Sequence, residues 1–257
     1  MFANFRLLTI LTILNLLATA GVGWWVYTKG SHTIDVDDLE NSLEELSENN
    51  PHFLVSLLNE AANESAENEK ESLEQSIFQN RIDVLKAGFS IKTYSSPAQK
   101  ELVIFADMTD ANSIMYLKNI QKTLANMNCS IHLIPISMFG KKSSSQAELI
   151  WAASLQNPQK AFQLALTYNA VEGAQNNPIA EAEKLGLDTK KLLHDKASKH
   201  VYEEVFHKTK LAEKLGVGSP SIFLLTATEA YLFPPVEAID IPKLIENPTT
   251  DLDDEEA

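Results

Sequence analysis

The chain of 257 residues contains a single cysteine, Cys129, and this scarcity excludes one kind of architecture at once. One thiol cannot form an intramolecular disulfide, so no disulfide framework holds the fold together. A dithiol redox cycle is excluded as well, because disulfide exchange needs one sulfur to attack and a second to resolve the mixed disulfide.

Basic residues are also few: 21 lysines and arginines are outnumbered by 35 aspartates and glutamates, which gives a net charge of −14. A surface with this charge repels phosphate backbones and anionic lipid headgroups, so we expect no nucleic-acid partner. A glycine-rich phosphate loop is missing too, since the turn before Pro220 accounts for Gly216 and Gly218. These patterns predict neither a cofactor nor a metal.

An uncharged, mostly apolar segment occupies residues 7–27. Its length matches the ~20 residues that a helix needs to cross a bilayer. Arg6 precedes it, and Trp24, Trp25 and Tyr27 form an aromatic belt at its end. We therefore expect an anchor in a bacterial inner membrane, with the acidic remainder in the periplasm.

The alternative for this segment is a cleaved signal peptide, which would leave a soluble periplasmic protein. Ala18-Thr19-Ala20 has the small-x-small form of a cleavage site. The apolar run continues past Ala20, which favours a retained anchor. Under both interpretations the chain is exported from the cytoplasm.

Residues 36–86 combine helical spacing of apolar positions with a very polar composition. Asn50 followed by Pro51 is a helix start signal, and the spacing predicts a helix from about His52 to about Leu85. A helix with such thin apolar stripes cannot bury itself in a small core, so we expect it to pack on a helix of another copy. The alternative is a solvated helical spacer.

The stretch Glu101–Tyr116 (ELVIFADMTDANSIMY) organises the rest of the chain. It predicts a buried strand that breaks at Asp107 into a polar turn, with a helix starting near Ala111. Thr109 and Asp110 are the candidate N-caps of that helix. In α/β proteins ligand chemistry lies beyond the carboxyl end of such a strand.

Phe105-Ala106-Asp107, followed after two residues by four that open a helix, resembles the active-site strand and turn of DsbA-like thioredoxin-fold oxidoreductases. In that family the four residues are Cys-x-x-Cys, whereas here they are Asp110, Ala111, Asn112 and Ser113. The resemblance implies an α/β thioredoxin fold with a DsbA-like helical insertion. The redox centre of that fold has been lost, so no catalytic residue is expected.

The segment Leu215–Phe223 (LGVGSPSIF) resembles the part of the same family that carries its cis-proline, which would make Pro220 the cis-proline. In the thioredoxin fold this loop and the helix N-terminus form a shallow groove that holds an extended peptide. The resemblance therefore implies that Ser219 and Pro220 line a peptide groove together with the four degenerate positions, Asp110 to Ser113.

The segment Leu43–Ala61, with its Asn-Pro turn and the polar helix after it, resembles the N-terminal stalk of the ScsC-like subgroup. In those proteins the stalk mediates trimer formation. The resemblance implies self-association of this chain through residues 36–86.

Three alternative chemistries remain beside this interpretation. Asp110 and Ser113 could form a hydrolytic pair, although no histidine lies nearby in the sequence to act as the base. Cys129 could be a reactive thiol, although a cysteine on an apolar strand face is more often a small buried hydrophobe. On a predicted helix, His200, Glu204 and His207 have a spacing that could bind a metal. A solvated charged face is the commoner explanation of such a pattern.

The remaining patterns outline the elements and the domains. They predict strands at 90–93, 129–136, 222–225 and 230–233, helices at 113–127, 194–214 and 241–246, and a mostly helical region at 158–207 with a break at about 169–178. The segments 139–146 and 147–155 resemble the loop and the helix that follow the strand at 129–136 in the DsbA-like family. The expected domains are an anchor at 1–29, a stalk at 30–90, a DsbA-like thioredoxin domain at 91–246 and a disordered acidic tail at 247–257.

The favoured hypothesis is a membrane-anchored, extracytoplasmic binding, scaffold or chaperone-like module for protein or polypeptide partners. One alternative is a protein that retains some thiol chemistry through Cys129. The other is a structural subunit of an envelope assembly, in which the groove is unused.

Overall fold

The computed structural model describes residues 51–93, 100–168, 177–233 and 241–248. Its elements, in chain order, are α1 (Pro51–Gln79), α2 (Arg81–Ala87), β1 (Phe89–Lys92), β2 (Glu101–Ala106), α3 (Ala111–Thr123), a 3₁₀ turn (Leu124–Asn126), β3 (Ser130–Pro135), α4 (Lys141–Ser154), α5 (Pro158–Leu166), α6 (Pro178–Lys184), α7 (Thr189–Lys196), α8 (Lys199–Leu215), β4 (Ser221–Leu225), β5 (Ala230–Phe233) and α9 (Ile241–Glu246). The chain divides into two units, residues 1–70 and 71–257. In the first unit the described part, residues 51–70, is entirely helical.

The strands form one mixed sheet in the order β1-β3-β2-β4-β5. β2 is parallel to β3, and the other neighbouring pairs are antiparallel. In the centre of the sheet, Ile104 of β2 lies opposite Leu133 of β3 and Ile222 of β4. β2 is the apolar run identified in the sequence, which suits a central strand buried on both faces.

Each face of the sheet packs against helices. Leu102 and Ile104 belong to the larger core cluster, which contains side chains from α3, α4 and α5. Val103 and Phe105 point to the opposite face, where they join residues of α1, α2 and α8. This alternation follows from the period of two along a strand, and it gives an α/β/α arrangement of layers.

The strand predicted at 129–136 is confirmed as β3, and its side chains alternate between the two faces of the sheet. Cys129, Ile131 and Leu133 belong to the larger cluster. Ile134 belongs to the cluster on the other face. Because β2 and β3 are parallel, Cys129 lies at the amino ends of these strands, whereas Asp107 lies at the carboxyl end of β2.

The predicted single helix from His52 to Leu85 is wrong, because α1 ends at Gln79 and α2 begins at Arg81. Asn80 separates them with φ −104° and ψ 17°. Its side-chain amide donates to the Ser76 carbonyl at 2.8 Å, which competes with regular helical bonding.

The predicted loop at 139–146 is too long, because α4 already begins at Lys141. The prediction rests on the resemblance to the loop that follows this strand in the DsbA-like family. In the structure the Ser143 hydroxyl donates to the buried Asp107 carboxylate, so a tertiary contact stabilises the first turn.

Two further helix boundaries differ from the prediction. The helix predicted at 113–127 begins at Ala111 and gives way to a 3₁₀ turn after Thr123. The helix predicted at 194–214 is two helices, α7 and α8, because Ser198 caps a new helix by accepting from the Val201 N–H at 3.2 Å.

Some predictions fall on residues beyond the described ranges. The anchor at 7–27, the stalk up to residue 50, the break at 169–176 and almost all of the acidic tail are in this group. Within the described ranges, no helix combines the length and the apolar composition of a membrane span.

At each edge of the sheet a side chain bonds to the backbone. On β5 the Leu232 N–H donates to Glu74 Oε1 at 2.7 Å. On β1 the Ile91 carbonyl accepts from Gln159 Nε2 at 3.3 Å. Because edge strands are open templates for pairing, these bonds reduce the capacity of both edges to add a strand.

Candidate functional site

Asp107, the first residue beyond β2, organises the end of the sheet. Its side chain is fully buried. Oδ1 accepts from the Thr109 N–H at 2.8 Å and from the Thr109 hydroxyl at 2.7 Å. Oδ2 accepts from the Met138 N–H at 2.7 Å and from the Ser143 hydroxyl. Four donors to one carboxylate compensate its burial, and they join the turn after β2 to the loop before α4.

Asp110 is the N-cap of α3, as the sequence predicts. Its Oδ1 accepts from the Asn112 N–H and its Oδ2 from the Ser113 N–H, both at 3.1 Å. A carboxylate at this end also interacts favourably with the helix dipole. Ala111 and Asn112 are exposed on the first turn.

Ser219 precedes Pro220, and the peptide bond between them is cis, which confirms the predicted cis-proline. The loop starts where Gly216 ends α8 with φ 74°, a left-handed conformation that favours glycine. The Val217 N–H then donates to the Ala212 carbonyl at 2.9 Å, which directs the chain back towards β4.

The two segments meet through hydroxyl groups. Ser113 Oγ lies 2.8 Å from Asp110 Oδ2 and 2.7 Å from Ser219 Oγ. The Asp107 N–H donates to Ser219 Oγ at 2.9 Å. The structure therefore brings together Asp110, Ser113 and Ser219 of the predicted site.

This cluster has little capacity for nucleophilic catalysis. Ser113 is fully buried, so no substrate carbonyl could reach its hydroxyl. A serine also needs an adjacent base, and none of the hydrogen bonds described for Asp110, Ser113 and Ser219 comes from a histidine. The geometry does not support the alternative of a hydrolytic Asp110/Ser113 pair.

Cys129 is remote from this cluster because it lies at the opposite end of the parallel strands β2 and β3. Its side chain is 0% exposed. Burial raises the pKa of the Cys129 thiol to about 11. The thiolate, which is the reactive form, is therefore a minor species at neutral pH.

We expect Cys129 to resist iodoacetamide at pH 8 in the native chain and to react fully in denaturant. With a pKa of about 11, about one thiol in a thousand is ionised at pH 8. Because burial favours the neutral thiol, the neutral Cys129 contributes fully to the stability of the folded state below pH 9. This contribution is lost as pH rises from about 9 to 11. Mass spectrometry of the alkylated chain measures the reaction. Rapid alkylation of the folded protein would restore Cys129 as a candidate redox thiol.

The metal-binding alternative on α8 is not supported by the contacts of Glu204. Its Oε2 lies 2.5 Å from Lys208 Nζ, and this bond lowers the pKa of the Glu204 carboxyl. Lys208 Nζ also lies 3.6 Å from the centroid of the Trp151 ring, and burial lowers the pKa of Lys208. Across the described ranges, no group of three histidine, cysteine or acidic side chains has the geometry to hold a metal.

Asp107 organises the end of the sheet, a role that the sequence analysis does not assign to it. The sequence places an acidic residue directly after an apolar strand, which is a recognisable signal. Its four donors come from residues up to 36 positions away, so the sequence alone does not reveal them.

Comparison with solved structures supports the fold. Salmonella enterica Typhimurium BcfH superposes with a TM-score of 0.64 at 16% identity, covering 81% of this chain and 93% of its own. The thiol-disulfide exchange protein alpha-DsbA2 from Wolbachia pipientis gives 0.53 at 14% identity, with 64% and 90% covered. Proteus mirabilis ScsC in a transitional conformation gives 0.51 at 14% identity, with 81% and 94% covered. No family model and no curated protein sequence matches the chain.

These similarities confirm the expected resemblance at the level of the fold, which is a mixed α/β thioredoxin-like fold of the DsbA type. At sequence identities of 14–16%, these similarities establish the fold and nothing further. The single cysteine is consistent with the absence of a redox-active pair.

Proposed function

We propose that this chain is a protein-binding module that retains the peptide groove of a thiol-disulfide exchange fold and lacks its dithiol chemistry. The observation that carries the proposal is the contact between the N-cap of α3 and the cis-proline loop, in which Asp110 and Ser113 occupy the cysteine positions of the resemblance. Neither residue supplies a sulfur, so this site can bind a partner but cannot exchange disulfides with it.

The backbone at Ser219 supports this proposal. In the described part of the chain its N–H and its carbonyl oxygen have no hydrogen-bond partner, although its hydroxyl has several. Backbone groups of this kind are normally paired, and an extended peptide laid against the loop would pair them. The exposed Ala111 and Asn112 border the same place on α3.

Phe139 supplies an apolar contact beside the site. Its side chain is 61% exposed. Met138 and Ser143, on either side of it in the sequence, both bond to the Asp107 carboxylate, which fixes the loop that carries the ring. A large exposed aromatic ring on a fixed loop is a typical anchor for a partner's apolar side chain.

The edges of the sheet are less suited than the groove to binding a polypeptide. Glu74 and Gln159 each occupy one outward-facing backbone group, on β5 and on β1 respectively. We therefore assign polypeptide binding to the cis-proline loop rather than to strand addition at an edge.

We extend the proposal to the location and the assembly of the chain. The export signal at residues 7–27 supports an anchored protein whose folded domain is extracytoplasmic, and soluble periplasmic after cleavage in the alternative. The described side chains from residue 59 to residue 70 are exposed except for half-buried Ala61, so this part of α1 has apolar and polar surface available to another copy. Sedimentation of the full-length chain in detergent separates a self-associating stalk from a solvated spacer.

Replacement of Phe139 by aspartate tests the groove. The probe is reduced, carbamidomethylated ribonuclease A, an unfolded polypeptide whose thiols are blocked. Because a buried aromatic contact contributes about 1.5–3 kcal/mol, we expect Phe139→Asp to weaken binding by about tenfold or more. Calorimetry at 0.15 M salt measures the affinity while screening long-range charge effects.

Leu155→Asp is the matched control. Leu155 is 45% exposed and follows α4 at the end remote from Phe139, and the helix between them has 14 residues. At ~1.5 Å per residue this corresponds to a separation of about 20 Å. We expect native affinity for this variant. Equal losses in both variants, or no binding by the natural chain, would refute the proposed groove.

A further inference from the structure

The shortest contacts at the site give one order of donors and acceptors. The longer contacts, from Ser219 Oγ to Asp110 Oδ2 and from the Asp107 N–H to Ser113 Oγ, both at 3.3 Å, lead to the same carboxylate. A carboxylate only accepts, so the Ser113 hydroxyl donates to Asp110 Oδ2 at 2.8 Å. Ser113 Oγ then accepts from the Ser219 hydroxyl at 2.7 Å, and Ser219 Oγ accepts from the Asp107 N–H at 2.9 Å. Every bond in this series is directed towards the Asp110 carboxylate.

Such a directed series is stronger than isolated bonds. Each hydroxyl is polarised by the next acceptor, and the series ends on a charge that the N-terminus of α3 stabilises. Ser113, in its middle, is fully buried, so bulk water does not compete for its hydroxyl. The series joins the end of β2, the first turn of α3 and the cis-proline loop.

We propose that Asp107, Ser219, Ser113 and Asp110 form a hydrogen-bonded clasp that keeps the groove permanently in its receptive shape, whatever the redox conditions. The ligand side of this inference rests on the proposed function, whereas the clasp itself belongs to the unliganded chain. Because the shape of the groove is preformed, its ligands are extended polypeptides for which cysteine is not required.

Hydrogen exchange on the full chain tests the clasp without any ligand. Ser219→Val and Ser219→Thr have nearly the same shape, and only threonine keeps the hydroxyl. A lost hydrogen bond corresponds to about a tenfold change in an equilibrium, and the Ser113 Oγ that remains lies 3.3 Å from the Asp107 nitrogen. We therefore expect the Asp107 amide to exchange up to about tenfold faster in Ser219→Val. We expect native exchange in Ser219→Thr, with the amides of Leu102 and Leu224 as monitors of global unfolding.

Ser221→Ala is the control in the same loop, because its hydroxyl donates to the Gly218 carbonyl outside the clasp. It should leave the Asp107 amide unchanged. An Asp107 amide that exchanges at the same rate in the valine and threonine variants would overturn the clasp, whether or not a polypeptide binds.

A covalent lock tests whether the groove is preformed. Ser113 Oγ and Ser219 Oγ are 2.7 Å apart, so Ser113→Cys/Ser219→Cys should form a disulfide when glutathione disulfide oxidises the two thiols. We expect the oxidised form to bind blocked ribonuclease A within about twofold of the natural chain, because the disulfide restores the joint that the two hydroxyls make. Loss of binding on oxidation alone would show that the loop must open, and would overturn a permanent clasp. No binding in either form, with native binding by the natural chain, would also overturn it.

Two peptides from ribonuclease A that differ only in cysteine or serine test the ligand class. We expect both to bind the natural chain equally, with and without dithiothreitol. Binding of the cysteine peptide alone would overturn the inference. If the natural chain binds no polypeptide, the proposed function fails, and the exchange experiment still decides the clasp.

Discussion

The Asp110→Cys/Ser113→Cys variant is expected to gain a thiol–disulfide couple that the natural chain lacks. The two positions are the N-cap of α3 and the third residue of its first turn, and their side-chain oxygens already lie 2.8 Å apart. A cysteine at a helix N-terminus has a thiol pKa below its ordinary value of ~8.5, because the helix stabilises the thiolate. We expect turnover in the insulin-reduction assay with dithiothreitol, against none for the natural chain.

The control for this gain is Asp110→Cys/Asn112→Cys. It has the same number of thiols, but residues two positions apart do not lie on the same side of a helix. Asn112 is exposed on the first turn, so we expect it to form no intramolecular disulfide with position 110. If the Asp110→Cys/Ser113→Cys variant also failed to close a disulfide, the alignment of these positions with a Cys-x-x-Cys pair would be wrong.

Replacement of Asp107 by alanine is expected to cause the largest loss of stability among single substitutions at the site. It leaves the Thr109 and Met138 N–H groups and the Thr109 and Ser143 hydroxyls without their acceptor. A donor left without its acceptor costs about 1 kcal/mol or more, so the four together cost about 4 kcal/mol, a large part of the stability of an ordinary domain. Urea unfolding followed by circular dichroism measures the difference.

Asp110→Ala is the matched control, because it removes a carboxylate from a half-buried position one turn away. Loss of an N-cap costs about 1 kcal/mol, and loss of the acceptor of the Ser113 hydroxyl costs about another 1 kcal/mol. The expected order is therefore a larger loss for Asp107→Ala than for Asp110→Ala. Equal losses would mean that Asp107 does not organise the end of the sheet.

The parts of the site that the sequence predicts correctly depend on local signals. β2 is a continuous apolar run, Asp110 is a good N-cap before a helical pattern, and Pro220 lies in a short segment that resembles the family's cis-proline loop. In each case the residues that determine the structure are neighbours in the chain, so their pattern is visible without coordinates.

The parts that the sequence does not predict depend on contacts between distant residues. The early start of α4 is stabilised by Ser143 through a bond to Asp107, 36 positions away. The clasp needs Ser219 to reach Ser113 across 106 positions. Helix propensity carries no information on such bonds. The break between α1 and α2 is a different case, because the Asn80 side chain bonds to the Ser76 carbonyl only four positions away.

Chemical-shift mapping by NMR tests the central claim most directly, namely that this fold has kept its groove as a binding surface after losing its sulfur chemistry. The full-length, isotope-labelled chain in detergent would be titrated with blocked, unfolded ribonuclease A. We expect the shifts to concentrate at Ala111, Asn112, Phe139, Ser219 and Ser221. Saturating titration with no shifts at these residues, or with shifts confined to α8 or to the β5 edge, would contradict the claim.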